Sequence, residues 1–339
     1  MNSELSSLRV QDIGEQGLLT ILQRYCPSDI IGDDAAVLST EPGQSLVVTT
    51  DVLVDGVHFS DLTTSPEDVG WRASAANLSD IAAMGATPLG ITVGLGLPGD
   101  VSVSWVERLY QGMTQCLGQH NTPIVGGDIV RSPTITIAIS AFGQVNPSRT
   151  IRRDKAKVGD VIIVTGVHGA SAAGLQLLLH PELGKQLSDS DRAELIAAHQ
   201  RPFPRLDVLP ILWEILDPPS LPISGMDSSD GLADAVVQIC RSSGVGAVID
   251  RDRIPLPAAF DWWLTKEQAL EYALYGGEDF ELVLCLPKPA AQNIVQKLGN
   301  KAAIIGAIAP ESTVILRNSD KKIPDQVLTL SRGFQHFGH

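Results

Sequence analysis

Acidic residues stand beside short apolar runs at five separate places along this chain, at Asp33/Asp34, Asp51, Asp80, Asp128 and Asp227/Asp230. An isolated ionised carboxylate is very costly to bury, so each of these must be solvated, paired or bound to a cation. A fold for this chain has to deliver strand ends, turns and one helix face to places where acids are tolerated. That requirement narrows the architecture more than composition does.

The apolar runs predict where the strands lie. Residues 46–48 read as a buried strand that delivers Thr49, Thr50 and Asp51 to a rim. Further strands are predicted at 91–97, 123–125, 132–142, 161–164 and 281–286, and in 132–142 Ile135, Ile137 and Ile139 alternate with Thr134, Thr136 and Ser140. Helical spacing predicts helices over 5–25, over 103–117 and around 172–179 and 232–241. Ser65, Pro66, Glu67 and Asp68 form a helix start, with a serine cap, proline at the first helical position and acids in the first turn. That helix is expected to run to Met84 and stop at Gly85, and Asn146-Pro147-Ser148 marks a domain boundary.

Composition enters as an exclusion. The chain has 339 residues, 44% of them hydrophobic, with 31 Gly and 21 Pro, which suits an ordered two-domain α/β or α+β protein. Its N-terminus shows no basic stretch leading into an apolar one, and no segment approaches the roughly 18 apolar residues of a membrane span. Cys26, Cys116, Cys240 and Cys285 are far apart in sequence, which argues against a zinc site or disulfide framework. A cytoplasmic protein is expected. The 25 Lys and Arg against 39 Asp and Glu give a net charge of −14, so neither nucleic acid nor membrane is an expected partner. Polyphosphate can still bind an acidic protein when divalent cations lie between the charges.

Each acidic place has a plain reading beside the functional one. Asp33 and Asp34 read equally as a solvated Asp-rich turn and as a metal site. Asp80 shares a helix face with Asn77 among Ala73, Ala75, Leu78 and Ile81, which favours function over a satisfied core hydrogen bond. Gly126-Gly127-Asp128 reads as a close approach of backbone to ligand, or as a tight turn with an exposed acid. Around Asp227-Ser228-Ser229-Asp230 the alternative is helix capping. The turn 165–171 leads from a strand into a helix N-terminus, a general anion site that matches no phosphate-loop pattern.

Jointly the acids predict a converging carboxylate cluster, which in so acidic a chain would repel itself unless filled. Hard, oxygen-seeking Mg²⁺ is the natural filling, shared with the phosphates of a nucleoside triphosphate. No nucleophile and base stand together, and His58 near Asp51 serves equally as base, structural group or substrate contact. Phosphoryl transfer to an acceptor that is itself a phosphate needs no base, because a phosphate monoester is mostly dianionic at neutral pH. Arg153 is the candidate cation for that step.

With those stretches assembled, the sequence resembles the thiamine-monophosphate kinase family, within the superfamily that includes aminoimidazole ribonucleotide synthetase and selenophosphate synthetase. The resemblance rests on Ile31–Ala36, Thr49-Thr50-Asp51 with Gly56-Val57-His58-Phe59, Asn77–Ala86, Gly126-Gly127-Asp128, Asp227–Leu232 and Gly276-Gly277-Glu278-Asp279. It implies an α+β fold: an N-terminal α+β domain (1–148) whose sheet pairs with a second subunit's into a barrel across a homodimer, then a C-terminal α/β domain (149–339). It implies Mg²⁺ ligation by Asp34, Thr49, Thr50, Asp51, Asp80, Asp128, Asp227 and Asp230. ATP contacts fall to Gly127, Asp128, Arg153 and Ser229, thiamine monophosphate contacts to His58, Glu278 and Phe334, and catalysis to Asp51, Asp128 and Arg153. A carboxylate and an aromatic face suit a positively charged thiazolium. The tail Gly333-Phe334-Gln335-His336-Phe337 departs from the family pattern in carrying Gln335 where an acid is common. The competing readings are another ATP-using enzyme of the superfamily and a non-catalytic nucleotide-binding protein.

Overall fold

The computed structural model describes residues 8–28, 30, 36, 38–216, 223–299, 301–318 and 324–332. Asp33, Asp34 and Phe334 lie outside the described residues. The chain forms two compact units, Met1–Ile81 with Thr87–Gln144, and Ala82–Ala86 with Val145–His339.

The first unit contains helix α1 (Val10–Leu22), strand β1 (Ser45–Val54), helix α2 (Pro66–Ala83), β2 (Thr87–Leu97), α3 (Val103–Gly118), β3 (Ile124–Arg131) and β4 (Thr136–Val145). The single N-terminal helix predicted over 5–25 differs: Gly14 takes φ 65° inside α1 and kinks it. The predicted start of α2 is present, with Ser65 Oγ accepting from the Asp68 N–H at 3.3 Å. Four strands make one open sheet in the order β1-β4-β2-β3. β2 pairs antiparallel with β4 and parallel with β3, the parallel pair being joined through α3 as a crossover demands. Helices α2 and α3 meet backbone to backbone: a Cβ on Gly70 would lie 2.0 Å from the Leu109 carbonyl oxygen, and one on Gly112 1.8 Å from that of Glu67. Only glycine at both places allows that approach. Leu78, Ile81, Val93, Leu95, Val106, Leu109, Ile137 and Ile139 are buried between sheet and helices.

The second unit is a mixed sheet of seven strands between two layers of helices. In chain order these are β5 (Val161–Val164), α4 (Ala170–Leu179), α5 (Asp189–Gln200), α6 (Val208–Ile215), β6 (Ser224–Asp227), α7 (Leu232–Ser243) and β7 (Gly246–Asp250). After a short helix come α8 (Lys266–Tyr275), β8 (Leu282–Leu286), α9 (Lys288–Leu298), β9 (Ala303–Ala309), β10 (Val314–Arg317) and β11 (Gln326–Val327). The order is β11-β10-β7-β9-β5-β8-β6, and only β10 and β7 run parallel. Ile162, Val164, Val283 and Cys285 face α7, while Val161, Ile163, Leu282 and Leu284 face α6 and α9. Burial on both faces is why 161–164 and 282–286 are unbroken apolar runs.

Candidate functional site

In the first unit Thr49, Thr50 and Asp51 do not sit at a rim. β1 continues through them to Val54, so its period of two sends neighbours to opposite faces. Thr49 donates its hydroxyl proton to Asp80 Oδ2 on α2, which fixes Thr49, Asp51 and the buried Leu53 on the helix side. Thr50 points to the other face, where its Oγ1 lies 2.8 Å from Ser140 Oγ. Asp128 stands opposite Gly94, and Gly94 opposite Ala138, two residues from Ser140. Asp128 therefore shares the outer face with Thr50. The sheet brings Thr49, Asp51 and Asp80 together on one side and holds Thr50 and Asp128 on the other.

Two expectations are corrected here. Residues 46–48 are not a buried strand: β1 ends the sheet order, and Leu46 (55% exposed), Val48 (55%) and Val52 (46%) form an open apolar row. Gly126-Gly127-Asp128 is not a turn but part of β3. A Cβ on Gly127 would meet the Val93 carbonyl oxygen at 2.2 Å, so strand crowding alone already demands glycine there.

His58 belongs to a tight turn after β1, in which Gly56 has φ 78°. The Val54 N–H donates to His58 Nδ1 at 3.1 Å, and the His58 N–H returns a bond to the Val54 carbonyl at 2.9 Å. Nδ1 is thus occupied as an acceptor, and a neutral ring carries its proton on Nε2.

In the second unit Asp227 closes β6 and is buried, whereas Asp230 is exposed. Capping does not explain Ser229 and Asp230, because the N-cap of α7 is Gly231 (φ 103°), with no side-chain cap. Ser228 is fully buried, its N–H donating to the Glu281 carbonyl at 2.9 Å and its Oγ lying 3.1 Å from His168 Nε2. Arg153 presents an exposed side chain from a fixed backbone: its carbonyl accepts from Ser224 Oγ at 3.0 Å and from Ser243 Oγ at 2.8 Å.

The loop 276–281 is the most constrained part of this unit. Glu278 and Phe280 both have positive φ, 67° and 52°, a conformation that surroundings must impose on non-glycine residues. The Glu278 N–H donates to the Ser229 carbonyl at 2.7 Å. Asp279 accepts from the N–H groups of Gly169 (2.6 Å) and Ser171 (3.0 Å), so the helix N-terminus expected to bind an anion is occupied by the chain's own carboxylate. Burial pushes the Asp279 carboxyl up to about 7, against the pull of those donors. Glu281 accepts from Thr165 Oγ1 and pairs with Arg205, which also donates to the Thr165 carbonyl at 2.8 Å and holds Asp207 in a fork at 2.9 and 3.0 Å. Burial raises the Glu281 carboxyl while Arg205 and Thr165 pull it back. His168 is wholly buried, and desolvation lowers it to about 4.

Sequence reasoning missed His168, Arg205, Asp279 and Glu281 as parts of this network. Asp279 closes the quoted Gly276-Gly277-Glu278-Asp279 motif, in which only Glu278 is given a role, and Arg205 lies in a Pro/Arg-rich stretch that reads as mere connection. Neither place carries a local signal of what it touches. Among the described residues no group of three or more His, Cys, Asp or Glu could hold a metal ion. A cavity of about 470 Å³ lined by Gln11, Asp100, Arg131 and Ser132 contains none of the predicted site residues.

Two family profiles match consecutive parts of the chain: AIR synthase related protein, N-terminal domain, over 32–145, and its C-terminal domain over 157–317. A protein of Synechococcus elongatus named thiamine-monophosphate kinase is 52% identical over 98% of this chain and 99% of its own length. The crystal structure of thiamine-monophosphate kinase from Stenotrophomonas maltophilia is 33% identical, with a TM-score of 0.77 over 88% of this chain and 95% of that one. A structure described as AaThiL complexed with AMPPCP and TMP is 32% identical, with a TM-score of 0.73 over 97% and 99%.

Proposed function

This chain belongs to the AIR synthase related protein family and, within it, to the thiamine-monophosphate kinases, and from that premise we propose that it transfers a phosphoryl group from ATP to thiamine monophosphate. The products are ADP and thiamine diphosphate. The observation that carries this reading is the 52% identity extending over 98% of the chain, since a shared fold alone does not fix a substrate.

In this reading the chain binds, orients and neutralises. The acceptor phosphate is already a nucleophile, so the reaction needs in-line placement and positive charge, with no general base. His58 agrees with that, its Nδ1 being tied to its own turn; it is assigned to thiamine monophosphate. Arg153 offers a cation on a backbone held by two serine hydroxyls, and with Gly127, Asp128 and Ser229 it is assigned to ATP. Glu278 is assigned to the thiazolium, and Phe334 is kept as a substrate contact from the sequence pattern. Asp51, Asp128 and Arg153 are the residues assigned to the chemistry.

An all-oxygen donor set with Thr49 hydrogen-bonded to Asp80 suits a hard cation. Mg²⁺ is held by one or two carboxylates plus waters and phosphates, so no cage of three acids is required. With several Mg²⁺ ions, Thr49, Asp51 and Asp80 would hold one on one face of the sheet and Thr50 and Asp128 another on the opposite face, with Asp34, Asp227 and Asp230 as further ligands. When bound, Mg²⁺ supplies neutralisation of phosphate charge.

Residues 1–148 are assigned to metal, nucleotide and dimer contacts, and 149–339 supply Arg153, Ser229 and Glu278. The open apolar row Leu46, Val48 and Val52 on an edge strand supports a sheet completed by a second copy, because such an edge is a template for pairing. The four cysteines are free, which supports a cytoplasmic setting; no helix among the described residues is long and apolar enough to cross a membrane.

The test is incubation of the purified protein with Mg²⁺, ATP and thiamine monophosphate, with chromatographic detection of thiamine diphosphate. If none forms, while ADP is released on adding an aminoimidazole precursor or selenide, the substrate assignment is overturned.

A further inference from the structure

Between the end of β6 at Asp227 and the start of α7 at Leu232, residues 228–231 belong to neither the sheet nor a helix. Ser229 is half-buried and Asp230 exposed in this passage, whereas Ser228 is fully buried. The Ser228 N–H donates to the Glu281 carbonyl at 2.9 Å, and its Oγ lies 3.2 Å from the same carbonyl oxygen and 3.1 Å from His168 Nε2. The next fixed point is the Ser229 carbonyl, which accepts from the Glu278 N–H at 2.7 Å. The ladder between β6 and β8 ends with Asp227 opposite Leu282, so beyond it the contacts of Ser228 set the direction in which the chain carries Ser229 outward.

His168 reaches Ser228 from 60 residues earlier in the chain, just before the start of α4. Its own N–H donates to the Pro255 carbonyl at 3.0 Å, so the ring stands on a backbone that is itself tied down. Both side chains are shielded from water, which makes the bond between them costly to leave unmade. It forms whichever ring nitrogen carries the proton. Ser228 Oγ accepts from an Nε2–H while donating to the Glu281 carbonyl, or donates to a bare Nε2.

We propose that His168 is a positioning residue for Ser229: by holding the Ser228 hydroxyl inside the protein, it fixes the direction in which the next residue meets ATP. This deepens the assignment of Ser229 to ATP made above and rests on it. His168, wholly buried, acts only through Ser228, and the loop carrying Glu278 keeps separate anchors at Asp279 and Glu281. The effect therefore falls on ATP and not on thiamine monophosphate.

Steady-state kinetics on the whole protein test this. His168→Leu, which keeps the bulk of the ring and removes its polar atoms, should raise KM for ATP about tenfold, the equivalent of one modest hydrogen bond, with kcat and the KM for thiamine monophosphate within about twofold. His168→Gln, whose amide can donate or accept at the reach of Nε2, should restore most of the loss. Ser228→Ala breaks the same bond from the other side and should raise the same KM; it replaces His168→Leu as the probe if that variant fails to fold. In a Ser228→Ala background His168→Leu should add little. Equal rises in both KM values, a loss confined to kcat, no rescue by His168→Gln, or additive effects of the two substitutions would overturn the proposal. If Ser229→Ala itself leaves KM for ATP unchanged, the assignment of Ser229 fails and the inference fails with it. If Ser229→Ala raises that KM and the His168 variants do not, the positioning role alone is lost.

Discussion

The two faces of the first unit's sheet and the buried loop of the second handle polar groups in opposite ways. Thr50 and Asp128 stand on an open sheet face, and Asp51 sits half-buried beside the Thr49–Asp80 bond. In the second unit Asp279, Glu281, Arg205 and Thr165 bond to one another and to α4. Oxygen atoms left on an open face await a ligand, whereas groups satisfied inside the protein fix a shape. The comparison teaches that acidity alone does not identify a site: Asp279 and Asp128 are both acids after a Gly-Gly pair or close to one, and only one is already in use.

The contrast can be broken first at Arg205. Arg205→Ala leaves Glu281 buried without its ion pair, and unfolding stability should fall by about 3–5 kcal/mol, read as a lower denaturant midpoint. A loss under 1 kcal/mol would place the loop's rigidity elsewhere. At Asp128 the outcome should be the reverse: Asp128→Ala, and likewise Asp51→Ala, should lower turnover by roughly 10²–10³-fold with the unfolding midpoint nearly unchanged. A stability loss comparable to that of Arg205→Ala would mean that these acids are structural and the contrast is false.

A pH series sharpens the comparison within the second unit. His168 in the folded protein titrates at about 4 instead of 6.5, so the unfolded chain binds more protons between those values. Its contribution is fully present above pH 6.5 and is lost as pH falls toward 4, by up to roughly 3 kcal/mol. Asp279, raised to about 7, has the opposite sign: the folded state binds the extra proton, and stability falls as pH rises from about 4 to 7. Wild-type stability should therefore change little across this window on account of these two groups. His168→Gln should expose the Asp279 slope, with stability falling as pH rises; a difference curve between wild type and variant that is flat from pH 4 to 6.5 would refute the assignment. The smallest effect is expected at the helix start, where Asp279→Ala removes a carboxyl group accepting two N–H bonds and should cost about 1 kcal/mol, within the 0.5–2 kcal/mol range of lost caps.

Much of the fold was legible locally because its causes are local. The Ser65 start of α2, the alternation that buries Ile137 and Ile139, and the apolar runs of β5 and β8 follow from capping and periodicity, which need no partner. The acids themselves were legible as a set, since charge beside apolar runs is visible in the sequence. Their distribution was not. Whether Thr49 and Thr50 face one ligand or two sides of a sheet depends on where β1 ends and what pairs with it, and extension of the strand through Asp51 separated them. Gly127 looked like a ligand-facing glycine and proved to be one that β2 crowds.

By itself the sequence determined the strand and helix periods, the caps and the presence of too many acids for a chain without cations. Tertiary structure decided which acids were already satisfied. That division has a physical cause: a hydrogen bond such as Asp279 to Gly169 and Ser171, or an ion pair such as Arg205 to Glu281, joins residues 76 to 110 apart. Their meeting is fixed by sheet order and helix packing, which no local pattern encodes.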